Sequence, residues 1–99
     1  MVYNDCMIFN VEISKSVKKE LLKVPLYIAV KLKAWVDDVE RRGLEEVRKI
    51  PSFHDEPLKG ERKGQRSIRL SKSYRAIYII KENKEIEFVL IEELSKHEY

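Results

Sequence analysis

EPLKGERKGQRSIRLSKSYR (residues 56–75), running on into AIYII (76–80), decides the reading of this chain. In its second half Ile68 and Leu70 fall on the parity opposite Ser67 and Arg69. After the link SKS (71–73), Arg75 shares its parity with Ile77 and Ile79. Alternation of this kind is the period of a β-strand, and a short polar link between two such runs predicts an antiparallel hairpin. Between Lys59 and Arg75 the same stretch is charged out of proportion. Lys59, Arg62, Lys63, Arg66, Arg69, Lys72 and Arg75 stand against one acid, Glu61, a local charge of +6. The whole chain carries +3, so the remainder sums to −3. A basic stripe on an acidic body is the footprint of a surface that binds a polyanion, whether nucleic acid or an acidic protein. Four of the seven cations are Arg, whose planar guanidinium meets phosphate in a bidentate fork.

Working outward, a third strand is expected at 86–93 beyond the link KENKE (81–85), giving strands at roughly 64–70, 74–81 and 86–93. Upstream, PSFHDEPLKG (51–60) holds two prolines and a glycine and reads as a loop. Ile28, Leu32, Trp35, Val36 and Val39 recur at i, i+4, i+7, i+8 and i+11, a helical stripe that places Trp35 in a core. Gly43 supplies the stop, and residues 44–50 allow a further turn or two. Ser14 or Ser16 can cap an earlier helix through VKKELLKV, with Val17, Leu21, Leu22 and Val24 at helical spacing and Pro25 opening the next helix. CMIFNVEIS (6–14) reads as a strand. The expectation is a single α+β domain over residues 1–99: an N-terminal strand, a hairpin of two helices, then an antiparallel three-stranded meander with the helices on one face.

Composition excludes several classes. Cys6 is the only cysteine, so no internal disulfide and no thiolate metal cluster is available. Two histidines, His54 and His97, add no metal-ligand spacing, and the three glycines form no phosphate-cradling fingerprint. Neither a metal nor a cofactor is expected. The apolar runs LYIAV and AIYII fall far short of the ~18 residues of a membrane span, and no secretory leader is visible. The chain reads as soluble and cytoplasmic.

Glu56 precedes Pro57 and is thereby biased to extended backbone at the border of the cations. Cleavage of RNA without a metal needs a base for the 2′-OH proton, an acid for the leaving 5′-oxygen and cations for the charge growing on phosphate. Glu56, His97 and Arg75 have the chemical types for those three roles. His54 is a second candidate acid or phosphate ligand.

The segment EPLKGERKGQRSIRLSKSYRAIYII, with a strand after it and the ending KHEY, resembles the RelE/ParE superfamily of bacterial toxins. Within that superfamily it is most similar to the RelE, YoeB and HigB ribonuclease branch of type II toxin–antitoxin systems. The likeness of PLKG…KG…SIRL…YRAIY is the most specific part, and the first fifty residues match in architecture. The resemblance implies a RelE-like fold and an endoribonuclease that cleaves mRNA in the ribosomal A site, beside 16S rRNA, and is neutralised by a cognate antitoxin. It places Glu56 as general base, Arg75 as stabiliser of the transition state, His97 as general acid and Tyr99 as the aromatic that orients substrate. Lys59, Lys63, Arg66, Arg69 and Lys72 would hold RNA phosphates. Glu98 separates His97 from Tyr99 where YoeB-like endings have them adjacent, and His54 stands as the alternative base, as histidines act in YafQ-like relatives. The superfamily also holds ParE-type poisons of DNA gyrase, and a decayed toxin that only binds antitoxin or RNA is a further alternative.

Overall fold

The structure, a computed structural model, describes residues 8–83 and 86–96. Five strands form one sheet in the order β1-β5-β4-β3-β2, where β1 is Asn10–Ile13, β2 Glu56–Pro57, β3 Gln65–Arg69, β4 Tyr74–Asn83 and β5 Ile86–Lys96. The meander β3–β4–β5 is antiparallel, as its alternating sequence requires. Two additions extend the expected sheet: β1 pairs with β5 in parallel, and the two-residue β2 pairs with β3 inside the segment expected to be loop. Each is the edge strand on its side.

Three helices connect β1 to β2: α1 (Lys15–Glu20), α2 (Leu26–Arg42) and α3 (Leu44–Val47). Ser14 caps α1, its Oγ accepting from the Val17 N–H at 3.2 Å, while its own N–H bonds Ile91 O on β5 at 3.0 Å. One residue thus starts the helix and ties it to the sheet. The helix stops at Glu20, ahead of Val24, because the residue before Pro25 is driven towards extended backbone. Leu22, expected on the apolar stripe, is 88% exposed, because five residues on from Val17 it points away from the side that Val17 and Leu21 share. α2 ends at Gly43, whose φ of 92° suits glycine and whose missing Cβ would stand 3.2 Å from the Phe9 ring.

The α2 stripe goes where its spacing directs it. Ile28, Leu32, Trp35 and Val39 are buried against Ile68, Ala76, Tyr78, Val89 and Ile91 of the sheet, and Val36 is half-buried at the margin. Trp35 is fully buried and tilts onto Tyr78, ring centroids 5.2 Å apart. Each such side chain contributes about 1.5–3 kcal/mol of burial. All helices lie on this covered face. The opposite face of the sheet carries Glu56, Gln65, Ser67, Arg69, Arg75, Ile77, Glu93 and Ser95, as the cross-strand register dictates.

Candidate functional site

The open face takes its chemistry from three strands. Glu56 on β2 stands directly opposite Ser67 on β3, and Ser67 stands opposite Ile77 on β4. Arg69 is two residues beyond Ser67 on the same side and faces Arg75 in register. Ser67 is 2% exposed and accepts a long hydrogen bond, 3.4 Å, from Arg75 Nη1. That contact lays the guanidinium along the sheet instead of out into solvent. The hairpin behind it is held at its tip by Ser71, whose Oγ accepts from the Ser73 and Tyr74 amides at 3.1 and 3.2 Å.

Arg69 and Arg75 are therefore two like charges directly opposed across a strand pair, where Cβ atoms lie ~4.5–5.5 Å apart. Neither forms an ion pair among the described residues, and neither does Glu56. Like charges placed so are destabilising unless an anion lies between them. Exposed Glu56 lies diagonally from Arg69 across Ser67, with its charge unspent.

Other cations of the basic segment are placed differently. Arg62, in the short 3-10 turn Gly60–Arg62, folds over the open face to pair with Glu93 and donates from Nε to Gln65 Oε1 at 2.6 Å. Gln65 in turn donates to Glu92, the extra residue of a β-bulge in β5, at 2.7 Å. Lys59 and Lys63 flank that turn, and Lys72 sits in the β3–β4 link; all three are exposed. Gly64, at φ 98°, turns the chain from the lysines into β3.

Arg66 lies on the other face. Its Nε donates to Asp55 Oδ1 at 2.6 Å, and the Tyr78 hydroxyl donates to Asp55 Oδ2 at 2.5 Å. The Asp55 side chain is 0% exposed and that of Arg66 21%. Burial opposes the charged form of Arg66, but the hydrogen bond and charge of Asp55 outweigh it and raise the guanidinium pKa further. Burial, reinforced by the charge and hydrogen bond of Asp55, pushes the Tyr78 phenol well above its ordinary 10.0. Arg66 is thus already spent on a neighbour, away from the face that holds Glu56 and Arg75. Asp55 was not singled out from sequence, although parity alone sets Arg66 with Ile68 and Leu70 on the core side.

His54 is exposed, in left-handed backbone at φ 47°, closing the 3-10 turn Pro51–Phe53. His97 and Tyr99 lie outside the described residues; the described part of β5 ends at Lys96, opposite Tyr74.

The sequence pattern of one family, described as the ParE toxin of the type II toxin–antitoxin system parDE, matches residues 11–93. The chain belongs to that family. It is the toxin component of a type II toxin–antitoxin system, within the RelE/ParE superfamily. Solved structures of the superfamily share its fold. A YoeB/ParE toxin from Agrobacterium tumefaciens superposes with a TM-score of 0.66 at 14% identity, covering 90% of this chain and 99% of that one. The RelBE2 toxin–antitoxin complex from Mycobacterium tuberculosis gives 0.64 at 23%, covering 91% and 99%. YafQ from E. coli gives 0.62 at 20%, covering 88% and 91%. No curated protein matches the sequence closely enough to count as a relative. Among the described residues no helix is long and apolar enough to cross a membrane.

Proposed function

We propose that this toxin is a metal-independent endoribonuclease that cleaves mRNA, in the ribosomal A site, and so arrests translation. The observation that carries the reading is the opposed pair Arg69 and Arg75, unneutralised among the described residues and sharing one sheet face with Glu56. The phosphate of the scissile bond supplies the missing anion. Glu56 takes the 2′-OH proton, and the 2′-oxygen attacks phosphorus. Arg75, held by Ser67, and Arg69 stabilise the charge on the equatorial oxygens. The P–O5′ bond then breaks as His97 gives its proton to the leaving oxygen. The products are a 2′,3′-cyclic phosphate, which opens to a 3′-phosphate, and a 5′-OH. Tyr99 orients the substrate, and Lys59, Lys63 and Lys72 hold phosphates along the flanking strand. Arg66, paired with Asp55, contributes little to RNA contact.

The cognate antitoxin is the second partner. RelBE2, and the DinJ–YafQ complex from E. coli, are toxin–antitoxin assemblies. On this chain Leu22, Leu26, Tyr27 and Val30 are 88, 78, 62 and 58% exposed on and around the start of α2. Leu26, Ala29, Val30 and Lys33 recur at one side of the helix and lead into an apolar groove of about 320 Å³ lined by Ile13, Leu21, Ala29, Leu32, Lys33 and Val36. Lys33 is the charged residue of that lining, and Lys18 lines the adjoining pocket that shares Ile13 and Val36 with it. An apolar strip beside these lysines suits an amphipathic acidic segment.

Match to the ParE family favours a second reading, an inhibitor of DNA gyrase that cuts no RNA. Primer extension on a defined message separates the two, using purified toxin with and without translating ribosomes and a His97→Ala variant. The nuclease reading expects cuts at codon positions with ribosomes, lost in the variant. Growth arrest on expression with no cut in either arm would transfer the reading to gyrase.

A further inference from the structure

Glu56 sits on the weakest strand of the sheet. β2 is two residues long, it lies at the edge, and Pro57 has no N–H to give. The backbone bond that follows it runs from Leu58 N–H to the Gln65 carbonyl at 2.9 Å. So short an edge strand does not hold a side chain in place by its own ladder. One residue upstream, however, Asp55 turns to the opposite face and is buried. Its two oxygens are engaged by two strands at once, Arg66 of β3 and Tyr78 of β4, at 2.6 and 2.5 Å. Arg66 and Tyr78 are register partners, and Arg66 is also the partner of Pro57. Strand alternation does the rest: an Asp55 pinned below the sheet puts Glu56 above it.

We propose that Asp55, Arg66 and Tyr78 are positioning residues for RNA cleavage: their buried brace fixes the Glu56 carboxylate over Ser67, Arg69 and Arg75. The inference rests on the nuclease reading of Glu56. For stability alone, an apolar cluster of the same volume serves as well as a buried charged pair. The charged brace adds direction, since two hydrogen bonds from different strands converge on one carboxylate next to the base. Arg66 thereby acts on the reaction from the face that RNA does not reach.

A double-mutant cycle tests this. Single-turnover cleavage and RNA affinity are measured for the parent, Tyr78→Phe, Glu56→Gln and the double variant, with hydrogen exchange at the Leu58 amide read alongside. Phe keeps the ring against Trp35; should Tyr78→Phe not fold, Arg66→Lys keeps the charge beside Asp55 and loses the fork. The expected result is a cleavage rate lowered by about tenfold to a hundredfold, the scale of a sub-ångström to ångström misplacement, at unchanged RNA affinity. Leu58 should exchange faster, and the rate loss should vanish in the Glu56→Gln background. An equal loss with and without Glu56, or parent-like rate and exchange, overturns the positioning role and leaves the nuclease standing. A parent that does not cleave, or a Glu56→Gln variant as fast as the parent, overturns the reading of Glu56 and the brace's role with it.

Discussion

Arg66 and Arg69 lie three residues apart on β3, yet they meet opposite fates. Below the sheet, Arg66 is matched by a fully buried carboxylate that a tyrosine also holds. Above it, Arg69 faces Arg75, with no acid paired to either among the described residues. The covered face has been solved as a folding problem: the charges of Asp55 and Arg66 that enter it are paired, because an unpaired charge there is prohibitive, and only the neutral Trp35 Nε1 is left buried without a partner among the described residues. On the open face the same residue type is left in a repulsive arrangement that only a ligand completes. Local charge density in the sequence does not distinguish these two uses of arginine. The face does.

The comparison can be broken in several ways. Arg75→Ala and Glu56→Ala should each lower cleavage by about 10²–10⁴-fold while leaving the melting temperature near that of the parent; a melt shifted as far as the rate would place these residues in the structural class. Arg66→Ala should lower stability as well as cleavage, losing about 3–5 kcal/mol by stranding the buried Asp55 charge, read as a lower urea midpoint at constant m. A parent-like midpoint would mean that Asp55 is not committed to Arg66.

A gentler perturbation is pH. The Tyr78 phenol is held neutral by burial and by Asp55, so its folded pKa lies above the unfolded value of 10.0. The folded state then binds more protons than the unfolded one above that value. The contribution is complete below pH 10.0 and is lost as pH rises past it. Thermal melts across the alkaline range should show a decline that Tyr78→Phe makes shallower; identical slopes in parent and variant would contradict the pairing. The smallest effect is expected at Arg69→Gln, which relieves like-charge repulsion and should stabilise the free toxin by about 0.2–1 kcal/mol while weakening RNA binding. Destabilisation would reveal a partner for Arg69.

Much of this arrangement was legible in the sequence, for physical reasons that can be named. The period of two in 64–80 set Arg75 with Ile77 and Ile79, and Ser67 with Arg69, as the register has them. The 3.6-residue period of 28–39 buried Trp35, and Gly43 ended the helix. What escaped was non-local or too short to have a period. Glu56–Pro57 is a strand only because β3 lies beside it. Arg66 finds Asp55 eleven residues away and Arg62 finds Glu93 thirty-one residues away, and no local pattern encodes either pairing. The parallel contact of β1 with β5 joins distant segments of the chain. Leu22 was misplaced because its spacing of five from Val17 falls off the stripe that i and i+4 define, so it faces outward.

Whether RNA recognises the open face is tested most directly by NMR titration with a short single-stranded RNA carrying a 2′-deoxy sugar at the cut, which binds without being cleaved. Amide shifts are expected to centre on Glu56, Ser67, Arg69, Arg75 and Ile77, with the Arg66, Tyr78 and α2 signals little moved. Shifts centred on Leu22–Val30 and the α2 groove, with the open face silent, would contradict recognition by that face.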